Sequence, residues 1–181
     1  MNWKNTLNRY GSVSIALHWL MFLLIAAVYA CIELREIYPK GSDPREALKA
    51  WHFTLGLTVL ALVWLRLLMR VLQPSPVIVP PPVAWQQRLA KAVHWLLYAL
   101  MLAMPVAGWM ILSAEGKPIP FWGLELPGLI AENKETGEFI EEIHELAGQA
   151  GYFLIGFHAL AALFHHYFLR DNTLNRMLPG R

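Results

Sequence analysis

Two histidines in the last apolar segment of the chain, His144 and His158, are spaced to do chemistry at two depths of a membrane. A helix turns 100° and rises 1.5 Å per residue, so a spacing of fourteen residues brings both side chains to one helix face, about 21 Å apart. A hydrocarbon core is about 30 Å thick, so this separation spans most of it. Ionisable residues inside a membrane are costly and typically mark ligands, proton paths or bound ions. The spacing therefore predicts one helix that serves two stacked cofactors.

The composition is that of a membrane protein. Hydrophobic residues make up 56% of the chain and charged residues 15%, whereas a soluble domain carries about 25% charged residues. Four segments are long and apolar enough to cross a bilayer as helices: 13–32, 50–72, 92–114 and 146–169. We therefore expect one all-α domain over residues 1–181, an integral membrane four-helix bundle.

The distribution of charge predicts the orientation of this bundle. The two tails and the link between the second and third segments carry nine basic residues and one acid, Asp171, whereas the other side carries six basic and twelve acidic residues. By the positive-inside rule both termini are cytoplasmic, and the loops 33–49 and 115–145 face outward. The proline-dense connector 73–82 is expected to run extended along the inner surface as a spacer. We expect lipid around the chain and no nucleic-acid partner.

All seven histidines fall in the helical segments or within two residues of them. Depth pairs His52 with His144 at the outer ends of the second and fourth helices. His158 lies on the inner half of the fourth helix, and its partner is either His18 or His94, between which depth does not decide. For each histidine taken singly, a structural role near the interface is the competing interpretation.

Paired histidines inside the membrane favour haem over other metals. Two neutral imidazoles fill both axial positions of a low-spin b-type haem, and the iron then changes charge without binding substrate. A zinc site needs ligands that converge within about one helical turn, often with a carboxylate or thiolate, and the spans contain no such cluster. The chain has one cysteine, Cys31, so a CxxCH attachment of c-type haem is excluded. We therefore predict two haem b groups.

Arg66 follows His52 by fourteen residues and so shares its helix face at the level of the inner cofactor. A guanidinium there is suited to pair with a haem propionate. The alternative is a basic side chain that extends to the headgroups.

Several motifs resemble those of the bacterial cytochrome b561 family. These are SIALHW at residues 14–19, WH at 51–52, GYFLIGFHA at 151–159, HHYF at 165–168 and DNTLNRM at 171–177. The resemblance covers nearly the whole chain. The histidine positions are shared with cytochrome b subunits of hydrogenases, whereas the tail motif is more specific to the small stand-alone members.

The resemblance implies a di-haem b cytochrome, multi-pass in the bacterial inner membrane. It implies that His18 and His158 are the axial ligands of the inner haem iron, and that His52 and His144 are those of the outer haem iron. His94 would then line a quinone site. The implied activity is that of an oxidoreductase, superoxide:quinone, which passes electrons from superoxide at the periplasmic face to ubiquinone.

Charge near His52 bears on a superoxide donor, because a cationic approach would concentrate this anion. The first outward loop carries four cations (Arg35, Lys40, Arg45, Lys49), interleaved with four acids (Glu33, Glu36, Asp43, Glu46). A positive pocket therefore requires the fold to separate the two signs. The alternative function is a membrane anchor and electron conduit for a partner dehydrogenase or hydrogenase, and a homo-oligomer or a partner redox subunit is compatible with either function. A haem-free cation transporter is the third hypothesis.

Overall fold

The computed structural model describes residues 2–179 and contains four long helices. They are α1 (Ser12–Leu34), α2 (Asp43–Leu72), α3 (Ala84–Ala114) and α4 (Lys134–Phe164). All four are long and apolar enough to cross a membrane. The predicted four-helix membrane fold is confirmed.

Three helices begin earlier than hydropathy alone predicts. α2 begins with Asp43 and Pro44, α3 begins at Ala84, and α4 begins after Asn133, whose side chain accepts a hydrogen bond from the Thr136 backbone N–H. A proline at the first turn and an Asn cap both favour a helix start in polar sequence. The outward loops are therefore shorter than predicted, because their polar ends belong to helices.

The remaining outer loop forms a small hairpin of strands β1 (Ile119–Phe121) and β2 (Leu124–Leu126). Trp122 and Gly123 connect the strands with positive φ angles of 49° and 83°, as a two-residue hairpin turn requires. The hairpin is tied to α2 through Trp122, whose Nε1 donates to Thr58 Oγ1 at 2.9 Å.

The apolar core lies among α1, α2 and α3. Its buried residues are Met21, Val59, Val63 and Tyr98, and a second cluster joins α2, α3 and the hairpin. In the described part of the chain α4 contributes no residue to either cluster; it packs along α3 and makes no extensive backbone contact with α1 or α2. This arrangement leaves space between α4 and the α1–α2 pair.

Both chain ends and the proline-dense connector meet at one end of the bundle, which we call the tail face (residues 2–11, 73–83 and 170–179). The Val77 N–H donates to the Leu7 carbonyl at 2.8 Å, and the Val79 N–H donates to Asn172 Oδ1 at 2.9 Å. α4 reaches this face through a π-helical turn over His165–Leu169, which ends at Arg170 in the left-handed conformation. The tails are therefore ordered parts of the fold.

Candidate functional site

The candidate site farther from the tail face, which we call the outer site, lies between α2 and α4; the one nearer the tail face is called the inner site. The ring centres of His52 and His144 are 6.3 Å apart, with ring planes at 73°. His52 Nδ1 is 3.0 Å from the Val28 carbonyl of α1, which fixes the ring and leaves Nε2 available as a ligand. His144 is less well anchored, because the Met104 carbonyl faces its ring while Nδ1 has no partner of normal hydrogen-bond geometry.

The inner candidate site lies between α1 and α4, with α3 close by. The ring centres of His18 and His158 are also 6.3 Å apart, with planes at 64°. His94 of α3 approaches His158 more closely, at 5.3 Å. The structure therefore brings together all five histidines singled out from sequence, in one outer pair and one inner trio.

The pair separations match ligation of one metal from both sides. Imidazole nitrogens bind metals at about 2 Å, and the ring centre lies roughly 1 Å farther, so two rings on opposite sides of one ion have centres roughly 6 Å apart. Both the His52–His144 and His18–His158 pairs meet this value. The His94–His158 separation of 5.3 Å is shorter than such a bridge requires.

The space beside these pairs suits a flat cofactor. Gly56 lies one helical turn after His52, and a Cβ placed on it would meet no heavy atom within 4 Å; the same holds for Gly156 near His158. Among the described residues no group of three or more His, Cys, Asp or Glu side chains is arranged to hold a metal ion by itself. The residues present therefore fit a group that supplies its own equatorial ligands, as haem does.

Arg66 reaches the inner site from α2. Its Nη2 donates to His18 Nδ1 at 2.7 Å. The guanidinium is therefore beside the inner pair, at the depth that the sequence spacing indicates.

Two tyrosines link α1 to α4 between the inner and outer sites. Tyr29 Oη donates to the Gly148 carbonyl at 2.8 Å, and Tyr152 Oη donates to Glu33 at 2.6 Å. The two rings are in contact, with centres 4.3 Å apart. Sequence reasoning missed this link, because no spacing rule connects tyrosines on helices so far apart in the chain.

Three of the four cations in the first outward loop are paired locally with acids, and Lys40 makes no salt bridge in the described structure. Glu36 accepts from Arg35 and Arg45 at 3.0 and 2.8 Å, and Lys49 is 2.7 Å from Glu46. Arg45 is also buried against the carbonyls of Arg35 and Tyr38. The fold does not separate these charges, so they give little electrostatic attraction for an anion.

Comparison with known proteins places this geometry in a family. The chain is 41% identical over 175 residues to cytochrome b561 homolog 1 of Escherichia coli K12, covering 97% of this chain and 99% of that protein. It is 39% identical over 173 residues to the protein of Yersinia pestis named probable superoxide oxidase CybB, covering 96% and 97%. It is 29% identical over 179 residues to cytochrome b561 homolog 2 of E. coli K12, covering 98% and 95%.

A sequence profile of prokaryotic cytochrome b561 matches residues 9–180. With four membrane-spanning helices and these relatives, the chain is a multi-pass protein of the bacterial inner membrane. It belongs to the prokaryotic cytochrome b561 family of membrane electron-transfer proteins.

Proposed function

We propose that the protein passes electrons from superoxide at the periplasmic face to ubiquinone at the cytoplasmic face, through two b-type haems. The observation that carries the proposal is the repeated 6.3 Å separation of two histidine pairs placed at different depths along α4. The relative in Yersinia pestis named probable superoxide oxidase supports superoxide as the donor. The basic tail face supports cytoplasmic termini, and the single bundle supports one domain.

In this proposal His52 and His144 hold the outer haem, and His18 and His158 hold the inner one. Bound haem supplies reversible one-electron chemistry without an open iron position. The protein must keep each imidazole neutral and correctly turned, which the Val28 carbonyl does for His52. Two superoxide anions then yield two dioxygen molecules and two electrons, and a ubiquinone takes up both electrons with two protons.

Arg66 is proposed to pair with a propionate of the inner haem. When His18 ligates through Nε2, its Nδ1 carries the proton and no longer accepts a hydrogen bond. The Arg66 guanidinium, now 2.7 Å from that atom, is then free for a carboxylate. The competing role, extension to the headgroups, would leave the haem unaffected by an Arg66 substitution.

His94 is proposed to border the ubiquinone site. Its Nδ1 is 2.5 Å from the Ala90 carbonyl of its own helix, and its ring lies against His158. In this proposal His94 is adjacent to the inner haem. The distance between its ring centre and that of His158 is shorter than ligation of one iron by both rings requires. His94 can therefore contact an acceptor that receives electrons there.

A second candidate function is an electron conduit for a partner dehydrogenase or hydrogenase. The local pairing of the outer cations favours it, because a protein donor does not depend on anion attraction. Such a conduit needs a docked redox subunit, whereas a superoxide oxidase works alone.

Rapid mixing of the purified oxidised protein with superoxide under anaerobic conditions separates the two functions. The superoxide proposal predicts haem reduction by superoxide, prevention of that reduction by superoxide dismutase, and reoxidation on addition of ubiquinone. If ubiquinol reduces the haems but superoxide does not, the superoxide proposal is contradicted and the conduit function is favoured.

A further inference from the structure

A cleft at the tail face has no role in the proposed electron path. It has a volume of about 330 Å³, opens to the surface and is lined by Asn8, Arg9, Asn172, Asn175 and Arg176. This volume is at the lower end of the range for small-molecule sites. Its lining contains two arginines, three asparagines and no acid.

Arg176 is a buried cation without a carboxylate partner. Its residue is 9% exposed, its Nη1 donates to the Pro76 carbonyl, and its guanidinium lies over the Tyr10 ring at 5.8 Å. Its Nε is buried and has no hydrogen-bond partner. No acid of the described residues comes within 4.0 Å of it. Burial lowers the pKa of Arg176, since the charged group has lost water, and an anion in the cleft would offset this cost.

The acid nearest in sequence, Asp171, is committed elsewhere. Its Oδ2 is 2.5 Å from His165 Nδ1, and its Oδ1 accepts from the Thr173 N–H at 2.8 Å. The Asp171 side chain is 3% exposed and does not line the cleft. Asp171 therefore stabilises the turn. Its charge also acts on Arg176 and raises the pKa of that group, but it makes no ion pair with Arg176 and contributes no side chain to the cleft.

Arg9 and Asn175 complete a set of donors around the cleft. Arg9 Nη2 donates to the Leu178 carbonyl at 3.0 Å, which positions this second guanidinium at the cleft wall. Asn175 Oδ1 is buried without a partner. Because amide oxygen and nitrogen can exchange places by a flip, Asn175 can present its NH₂ group to an anion.

The tail beside the cleft packs against the first turns of α1, the part of a membrane-spanning helix that is expected to meet the lipid headgroups. Trp19 Nε1 donates to the Met177 carbonyl at 2.8 Å. Trp19 is seven residues into α1, about 10 Å along the helix. The tail next to Arg176 thus folds back beside the membrane-spanning helix and does not extend into the solvent.

We propose that the cleft formed by Arg9, Asn175 and Arg176 binds a phosphate-bearing anion, with the headgroup of an anionic phospholipid as the source that its depth favours. Arginine recognises phosphate through paired N–H donors. Basic pockets at the ends of membrane helices bind anionic headgroups in this way. The inference is independent of the proposed electron donor and acceptor.

Native mass spectrometry of the full-length, haem-loaded protein tests it. The protein is titrated separately with phosphatidylglycerol, with phosphatidylcholine and with inorganic phosphate. We expect the wild type to bind phosphatidylglycerol more tightly than phosphatidylcholine. The Arg9→Gln variant should bind phosphatidylglycerol about tenfold more weakly than the wild type does. Arg88→Gln is the matched control, because Arg88 is an exposed arginine on the same side of the bundle but outside the cleft.

Asn175→Asp is the second variant, which adds a negative charge to the cleft and retains both arginines. It should weaken phosphatidylglycerol binding at least as much as Arg9→Gln, while haem content verifies that each variant is folded. If equimolar inorganic phosphate displaces the lipid, the anion site is supported and its natural ligand is a soluble phosphate compound, not a lipid headgroup. Equal binding of the two lipids, or equal phosphatidylglycerol affinity in the wild type and both cleft variants, would overturn the proposal.

Discussion

At the scale of single residues, the imidazole separations support one of the two inner ligand sets that sequence left open. Depth along the helices predicted the His52–His144 pair, and the structure brings these rings together. Depth did not choose between His18 and His94, because both lie near the inner ends of their helices. The proposal of His18 rests on distances between ring centres across the bundle: 6.3 Å from His18 to His158 and 5.3 Å from His94 to His158. Such differences of one ångström arise from packing and have no sequence signature.

Gly56 should control the space for the outer haem. A Gly56→Leu substitution places a branched side chain in the open space one turn after His52. We expect haem per chain to fall from two toward one, with loss of the outer haem, because the added atoms occupy its position. Haem quantification by the pyridine haemochrome method measures the loss. Ala61→Leu on the exposed face of α2 is the control and should retain both haems; equal haem in the two variants would contradict this role.

Glycine should be required at position 151, because the hydroxyl of Tyr29 occupies the space that a larger side chain would need. A Cβ on Gly151 would overlap Tyr29 Oη, so Gly151→Ala should lower the free energy of unfolding by about 1–3 kcal/mol. Tyr29→Phe alone loses one hydrogen bond, worth about 1 kcal/mol. Because removal of the hydroxyl relieves the clash, the double variant should be more stable than the sum of the single effects predicts. Thermal unfolding of all four proteins measures this coupling, and strict additivity would show that the clash is absent.

At the scale of elements, the four spans were predictable and their ends were not. Hydropathy locates the apolar part of each helix, but Asp43 and Lys134 begin α2 and α4 in polar sequence. The hairpin was missed because its strands have three residues each and its turn places Trp122 at a positive φ. Short strands and such turns lack the alternation that sequence reasoning uses.

The turn after α4 depends on ionised Asp171. Burial alone would raise the pKa of Asp171, but the hydrogen bonds from His165 and Thr173 outweigh it and hold the pKa below its usual value. A group whose pKa is lower in the folded state stabilises that state above its unfolded pKa, about 3.9 for Asp, and loses this effect as the pH falls through the folded value. Asp171→Asn should therefore expose the tail to protease at pH 7, where the wild type is protected.

The difference between Asp171→Asn and the wild type should begin to shrink below about pH 4, the pKa of the unfolded chain. It should vanish only below the lower pKa of the folded protein, where the wild-type carboxyl is also neutral. Digestion of both proteins with an acid-stable protease, at pH values on both sides of this transition, measures the difference in protection of the tail. Asp43→Asn is the control, because it makes the same change at an exposed aspartate of α2 that has no side-chain hydrogen bond or ion pair in the described structure. If the difference in protease protection between the two proteins does not change with pH, the charge of Asp171 does not stabilise the turn.

At the scale of the whole molecule, function follows from the position of α4 apart from α1 and α2. The three other helices share the apolar core, whereas the contacts of α4 with α1 and α2 include the two histidine pairs and the hydrogen bonds of Tyr29 and Tyr152. A bundle held together only by apolar packing would not leave this space. Composition and charge predicted the membrane setting, but the identity of the electron donor depends on surface charges, which the fold pairs locally.

The central claim is that two bis-histidine b-type haems lie at two depths of one bundle. The measurement that tests it most directly is haem per chain, with reduced-minus-oxidised spectra, for the wild type, His18→Ala and His94→Ala. We expect two haems in the wild type, two in His94→Ala and one in His18→Ala, with the outer haem retained. Two haems in His18→Ala and one in His94→Ala would contradict the inner ligand assignment, and a wild type with fewer than two haems would contradict the account as a whole.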